Sequence, residues 1–214
     1  MKVPHYYRTE FESFFADIYD IFFDLVTFFQ IKKIRKKAVK LLCLKKGMSV
    51  VDFACGTGGL TVIIAEHVGE TGKVIGVDLS QRMQNNAKKK LKSLLQVSFV
   101  RHNFEDFFID ERIDAVTIGF GAHEVPTTAR QNMYKNAYKL LKMNGKLLVF
   151  DYAKIDTPIL SQFYWLVLRL IEYPNGLLYV KEDHQKILKE IGFSCIIHKK
   201  VAGFFDIAVY QKVK

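Results

Sequence analysis

Cysteine is scarce in this 214-residue chain, where Cys43, Cys55 and Cys195 stand singly in apolar surroundings. Without pair spacing they make neither a disulfide framework nor a zinc cluster, which points to a reducing compartment. A cleavable leader is not visible either, because residues 1–9 are polar and aromatic with no apolar core ending at small residues. Long uncharged hydrophobic runs are also lacking. Phe11 to Ile31 is rich in phenylalanine, but Glu12, Asp17, Asp20 and Asp24 interrupt it, and acids are costly in lipid. The run Ile159 to Leu168 is too short to cross a bilayer. Both stretches read as helices that pack on protein or rest on a surface, and the expected location is cytoplasmic, peripheral to a membrane at most.

No repeat or low-complexity linker divides the chain, and half of its residues are hydrophobic, enough for a full core in one domain over 1–214. The most informative stretch is Val50-Val51-Asp52-Phe53-Ala54-Cys55-Gly56-Thr57-Gly58-Gly59, an apolar run leading into a glycine turn. It reads as strand, tight loop and helix start. Glycines at 56, 58 and 59 permit positive backbone angles and close approach of a ligand to the main chain, where the free N–H groups of the next helix face it. A dinucleotide fingerprint needs Gly-x-Gly-x-x-Gly, but counting from Gly56 the last position is Thr61. A phosphate-cradling loop fails as well, since no Gly-Lys-Ser/Thr follows. Asp52 instead offers a carboxylate suited to a cationic, amino-acid-bearing nucleoside rather than a pyrophosphate.

Beyond the loop, strands and helices alternate as in a parallel sheet covered on both faces. Strands are predicted near 48–53, 73–78, 97–102, 113–120 and 145–151, and helices near 59–68, 80–95 and 127–142. Met143-Asn144-Gly145 reads as the stop of the last of these helices, with a left-handed cap. Segments 158–171 and 182–191 look helical, and a closing hairpin runs from Gly192 to about 199 and over 203–211. Residues 1–46 form a helical extension or lid, and 47–214 the sheet core. Phe14, Ile18, Ile21, Phe22, Leu25 and Phe29 make an apolar stripe opposite Asp17, Asp20 and Asp24, which predicts a helix packed over the sheet edge or a lid with an aromatic wall.

The loop Asp52 to Gly58 resembles the first motif of class I S-adenosylmethionine-dependent methyltransferases. The wider similarity is greatest to the ubiquinone and menaquinone C-methyltransferase family, carried also by Gly76-Val77-Asp78, Asn103 with Glu105, Asp114 to Gly121, and Leu140 to Gly145. The resemblance implies a three-layer α/β Rossmann-like fold, a seven-stranded mostly parallel sheet with a C-terminal antiparallel hairpin and an N-terminal helical lid. It implies S-adenosylmethionine as cofactor, with S-adenosylhomocysteine as product. Cofactor contacts carried over by motif are Asp52, Ala54, Gly56 and Gly58 in the first loop, Asp78 and Leu79 at the second strand end, Asn103 and Phe104 after the third, and Gly119 after the fourth. Two acceptor oxygens on Asp78 suit a vicinal diol such as the ribose. Tyr19, in Ala16-Asp17-Ile18-Tyr19-Asp20, is expected to reach the methionine end, or else only to pack.

Ligands of open sheets bind beyond the strands' carboxyl ends, so the chemistry is expected after the fourth strand, at Gly119-Phe120-Gly121-Ala122-His123-Glu124. His123 is the candidate general base and Glu124 its orienting partner or a cation's ligand; the alternative is that both cap the next helix. No carboxylate cluster for a metal stands there, and Asp151 alone is not a site. The family implies a prenylated quinol as acceptor, methylated at carbon. The chain departs from it where the family has Arg-Asn in place of His123-Glu124, and in a shortened tail over Ile171 to Lys181, so the acceptor is less defined than the cofactor. The alternatives are N-methylation of an amine or aminophospholipid, an RNA substrate, and a cofactor-binding protein without turnover. Lys32, Lys33, Arg35, Lys36, Lys37, Lys40, Lys45 and Lys46, with Lys88, Lys89, Lys90 and Lys92, help give the net charge of +10. Such a face suits anionic lipid or is merely solvated; nucleic acid is disfavoured, since no recognition module accompanies it.

Overall fold

The computed structural model describes residues 3–7, 12–154 and 174–213. Five strands, β1 (Ser49–Phe53), β2 (Lys73–Asp78), β3 (Val97–Arg101), β4 (Ile113–Gly119) and β5 (Leu141–Tyr152), pair in parallel. The hairpin of β6 (Phe193–Val201) and β7 (Phe205–Lys212) then joins β5 antiparallel, giving the order β3-β2-β1-β4-β5-β7-β6. The central strands are near-continuous apolar runs because both of their faces are covered. One core lies under α5 (Thr127–Leu140), with Val51, Phe53, Val116, Met133 and Tyr134. The other lies under α2 (Ile31–Leu41) and α3 (Thr61–Val68), with Val50, Ile63, Ile64, Leu148 and Phe150. This is the three-layer α/β arrangement expected, and β1 marks the switch point where the strand order reverses.

Local chemistry explains most element ends. The Ser80 side chain caps α4 (Gln81–Lys90) by accepting the Met83 N–H at 3.0 Å, and Glu12 accepts the N–H groups of Gln81 and Arg82 at 2.8 and 3.2 Å. In α7 (His184–Ile191), Asp183 caps one end and left-handed Gly192 the other. A short helix, α6 (Pro174–Tyr179), precedes it, and the predicted helix over 158–171 lies outside the described residues.

Three expectations are corrected. Helix α4 stops at Lys90 rather than near 95, because Leu91 leaves helical geometry and packs beneath Gly58. Helix α5 ends at Leu140, before the Met143-Asn144-Gly145 turn. Asn144 is left-handed, at φ 62°, yet the turn is an irregularity inside β5, where the pairing jumps from Ile113 opposite Leu141 to Ala115 opposite Lys146.

The third correction concerns the N-terminal lid. It is two helices, α1 (Phe15–Val26) and α2, separated by positive φ at Phe28 and Phe29. The apolar stripe of α1 does not face the sheet: Phe14, Ile18, Ile21, Leu25 and Phe29 are all exposed. Asp17 and Asp20 face α4 instead. Asp17 accepts from Arg82 and from Asn86, and Asp20 accepts from Thr57 at 2.6 Å and pairs with Lys90. The surface facing α1 is the 82/86/90 face of α4, which is polar and basic, so it selects the acidic side of the helix. Ala16 is buried, and Tyr19 packs on Phe23, which in turn meets Phe120 beyond β4.

Candidate functional site

The carboxyl ends of β1, β2 and β4 open into a cleft, where open α/β sheets bind their ligands. Its floor is the glycine loop. Gly56 has φ 53° and nothing within 4 Å of where a Cβ would stand, so this backbone faces open space. Gly58 and Gly59 serve other ends: a Cβ on Gly58 would press on Leu91 and Ala87, and one on Gly59 would lie 2.3 Å from Arg35 Nη1. Ala54 and Phe120, non-glycine residues at φ 52° and 57°, hold strained backbone on either side of the cleft.

Two carboxylates stand at the loop. Asp78 Oδ2 accepts the Gly56 N–H at 2.7 Å and Oδ1 accepts the Ser80 N–H at 2.8 Å, tying the end of β2 to the glycine turn. Burial raises its carboxyl above the usual range, against the pull of those two N–H groups. Asp52 is buried and accepts Thr61 Oγ1–H and Thr117 Oγ1–H, both at 2.6 Å. Thr61, the residue that breaks the dinucleotide fingerprint, is thus a ligand of the loop's own acid. Burial pushes Asp52 up to about 6, although both hydroxyls and the charge of Arg35 oppose the rise. A smaller compartment adjoins the main cleft and is lined by Tyr19, Asp52, Ala54, Gly56 and Gly119 among others.

Among the described residues, Tyr19, Ala54, Gly56, Asp78, Leu79, Phe104 and Glu124 line the main cleft. Asn103, Gly58 and His123 do not. Asn103 turns to Glu105, whose N–H it accepts at 3.1 Å, and Glu105 also accepts the hydroxyl of Tyr6. Tyr6 and Tyr7 form part of the cleft wall and were not foreseen; aromatic side chains among polar neighbours carry no periodic signal. Tyr7 donates to Glu12 at 2.9 Å, which fastens this segment to the start of α4.

His123 lies behind the wall, buried between two carboxylates. Its Nδ1–H donates to Asp151 Oδ1 at 2.6 Å and its Nε2 stands 3.2 Å from Glu124 Oε1. Asp151 is fully buried and also accepts the N–H groups of Ala122, His123 and Tyr152 at 3.1, 3.2 and 2.8 Å. Burial alone would lower the imidazole, but the charge and hydrogen bond of Asp151, with those of Glu124, hold it well above its ordinary value. Neither His123 nor Glu124 caps the next helix, since the N-cap of α5 is Pro126 and no side chain accepts there. Arg130, wholly buried, donates from Nη1 to the carbonyls of Ala122 and Val125 at 2.7 and 2.9 Å and forks onto Glu182 at 2.8 and 3.0 Å. It fixes the loop that carries Glu124. Among the described residues, no group of three or more His, Cys, Asp or Glu could hold a metal ion, and no helix is long and apolar enough to cross a membrane.

The model of the ubiE/COQ5 methyltransferase family matches residues 5–203. The chain belongs to the ubiE/COQ5 methyltransferase family. Curated relatives include the demethylmenaquinone methyltransferases of Staphylococcus saprophyticus, 30% identical over 92% of this chain and 84% of that one, and of Bacillus licheniformis, 32% identical over the same shares. An S-adenosylmethionine-dependent methyltransferase from Aquifex aeolicus has a similar fold, with TM-score 0.68 and 21% identity over 84% of this chain and 89% of that one. This ubiE/COQ5-family protein is therefore a methyltransferase that uses S-adenosylmethionine. The residues present fit that cofactor, with open space above Gly56, a carboxylate anchored at the end of β2, and a second, buried carboxylate lining an adjoining compartment.

Proposed function

We propose that this methyltransferase acts on a ring carbon of a quinol-type acceptor with a lipid-like tail, and that it meets the membrane surface peripherally to reach it. The observation that carries the reading is the cleft: Tyr6, Tyr7, Tyr19, Phe104 and Phe120 make aromatic walls around it, and Glu124 places a carboxylate on its β4 side. An aromatic ring fits such walls, and the names of the curated relatives support a quinol of this kind. When bound, S-adenosylmethionine supplies an electrophilic methyl group on a sulfonium. Asp78 would hold its ribose hydroxyls and Asp52, beside Tyr19 and Gly119, its cationic amino-acid end. Leu79 and Phe104 would flank the adenine, and Ala54 and Gly56 leave their backbone open to the cofactor. Asn103 serves by bracing the turn before Phe104.

At the acceptor, the sequence-based roles of His123 and Glu124 exchange. Glu124 faces the cleft, so its carboxylate takes the ring hydroxyl's proton, and the charge left on oxygen raises the nucleophilicity of the ring carbon. His123, with both nitrogens turned to carboxylates, is a positioning residue that orients Glu124, and Asp151 anchors it in turn. The aromatic walls exclude water from the reacting atoms. The test is incubation of the purified chain with S-adenosylmethionine and a reduced short-chain demethylated quinol, with products identified by mass spectrometry and NMR. A ring C-methyl product is expected. Turnover only of amines or ethanolamine lipids would overturn the assignment.

A further inference from the structure

Helix α1 has two apolar sides. Ala16, Tyr19 and Phe23 face inward, with Tyr19 on the cleft wall and Phe23 against Phe120 at 5.3 Å between ring centroids. On the outer side, Phe14, Ile18, Ile21 and Leu25 fall at steps of four, three and four residues, so they form one continuous stripe, and Phe28 and Phe29 follow in the turn after the helix. All are exposed, and the stripe ends in Phe28 and Phe29 at 83% and 70% exposure. Three phenylalanines and three aliphatic side chains uncovered in a row mark an interaction surface.

What the stripe meets is indicated by its border. It runs into α2, whose inner side, Ile31, Ile34, Ala38 and Val39, is buried and whose outer side is Lys32, Lys33, Lys36, Lys37 and Lys40. Phe29 and these five lysines line one shallow groove. No acid occurs between Asp24 and Asp52, a stretch with eight basic residues. On α1, Asp17 is engaged with Arg82 and Asn86 and Asp20 with Thr57 and Lys90, which leaves Asp24 as the acid nearest in sequence to this charge, one against eight basic residues.

From this juxtaposition we propose that the outer stripe of α1 and the lysine row of α2 form one docking face for an anionic lipid bilayer, the phenylalanines entering the acyl boundary and the lysines resting on headgroups. A second copy of the chain fits less well, since it would cover the stripe but offer the lysine row no counter-charge. The inference deepens the lipid-like acceptor reading above: one helix carries the docking stripe on one side and a cleft wall on the other, so an acceptor leaves the bilayer next to the cleft.

The experiment is flotation of the full-length protein with phosphatidylglycerol/phosphatidylcholine vesicles, and with phosphatidylcholine alone. Binding is expected to the anionic vesicles at low salt and is weakened at about 0.5 M salt. Replacing Lys32, Lys33, Lys36 and Lys37 by Gln should weaken it roughly 100-fold or more. Replacing Ile18, Ile21, Leu25 and Phe28 by Ser should do the same to roughly that extent, while calorimetric S-adenosylmethionine binding stays unchanged in both variants and reports that they are folded. Absence of wild-type binding at low salt, binding unaffected by either variant, or a dimer in light scattering that the stripe variant dissociates in a protein that ignores vesicles, would each overturn the proposal. Quinol turnover in free solution by a protein that ignores vesicles sinks this inference alone; vesicle binding without quinol turnover sinks only the reading of the reaction.

Discussion

Asp52→Asn should make the empty protein more stable while impairing its function. Folding raises this carboxyl from an ordinary value of 3.8 to about 6, so over that interval the folded state binds a proton that the unfolded chain does not. For an acid raised in this way the cost is absent below 3.8 and fully present above about 6. Two pH units and a fraction correspond to about 3 kcal/mol at pH 8 and well under 1 kcal/mol at pH 4. The amide is nearly isosteric and can still accept from one threonine hydroxyl and donate to the other. Urea denaturation of both proteins is the assay, at pH 8 and pH 4 without cofactor. The variant should gain up to about 3 kcal/mol at pH 8, or roughly 6–12 °C in Tm for a chain of this size, with little difference at pH 4. Calorimetry should show S-adenosylmethionine binding weakened about 10-fold or more. A variant less stable at pH 8, or a stability difference independent of pH, would mean that Thr61, Thr117 and Arg35 fully compensate the buried charge.

Further outcomes follow from the other loops. Glu124→Gln should lower kcat on a quinol by roughly 10²–10⁴-fold with cofactor affinity intact; equal loss of cofactor binding would remove Glu124 from the acceptor side. His123 is raised by its carboxylate partners, so its stabilising contribution is present below its ordinary value and is lost as pH rises through the higher folded value. Asp151→Asn should therefore move the alkaline limb of the stability profile to lower pH, and an unmoved limb in denaturation curves would refute the coupling. Arg130→Met should cost about 3–5 kcal/mol, since Glu182 and two carbonyls lose their partner, read as a fall in urea midpoint. Gly56→Ala meets no atom, so its stability cost should be only about 1 kcal/mol for positive φ, yet calorimetric cofactor affinity should fall at least roughly 10-fold because the methyl occupies the open space above the loop.

The sheet and the glycine loop at its carboxyl end were legible because they are local. Strand, glycine turn and helix start lie within residues 49–61, and β2 ends on Asp78 as predicted. What escaped depends on contacts distant in the chain. The amphipathic pattern of α1 shows two sides, but which one turns inward depends on α4, about 65 residues later, whose Arg82, Asn86 and Lys90 attract the acids. Asp151 looks like an ordinary strand end until β5 pairs beside β4 and brings it to His123, 28 residues earlier. Arg130 is one basic residue on a mixed helix, and only the fold gives it two carbonyls and Glu182. The Asn144 turn misled because the left-handed conformation expected of a helix cap also serves an irregular strand.

Several groups at the cleft are held unfavourably by the fold, and that is informative about its ligand. Asp52 and Asp78 are both raised by burial, and Ala54 and Phe120 sit at positive φ, none of which stabilises the fold on its own. A cation placed against Asp52 would restore its ionised form, so with the role assigned to it here cofactor binding must expel a proton wherever the empty site holds one. The empty site is half protonated at about pH 6. Affinity for S-adenosylmethionine should therefore be greatest near neutrality and fall as pH drops through about 6. Titrations at pH 5.5 in buffers of differing ionisation enthalpy should register release of a fraction of a proton per cofactor bound, and titrations at pH 8 should register uptake instead, because the free cofactor's α-amino group is then partly deprotonated. An affinity flat from pH 5 to 8, with no proton released, would place the cation away from Asp52 and leave that acid as a structural acceptor for Thr61 and Thr117.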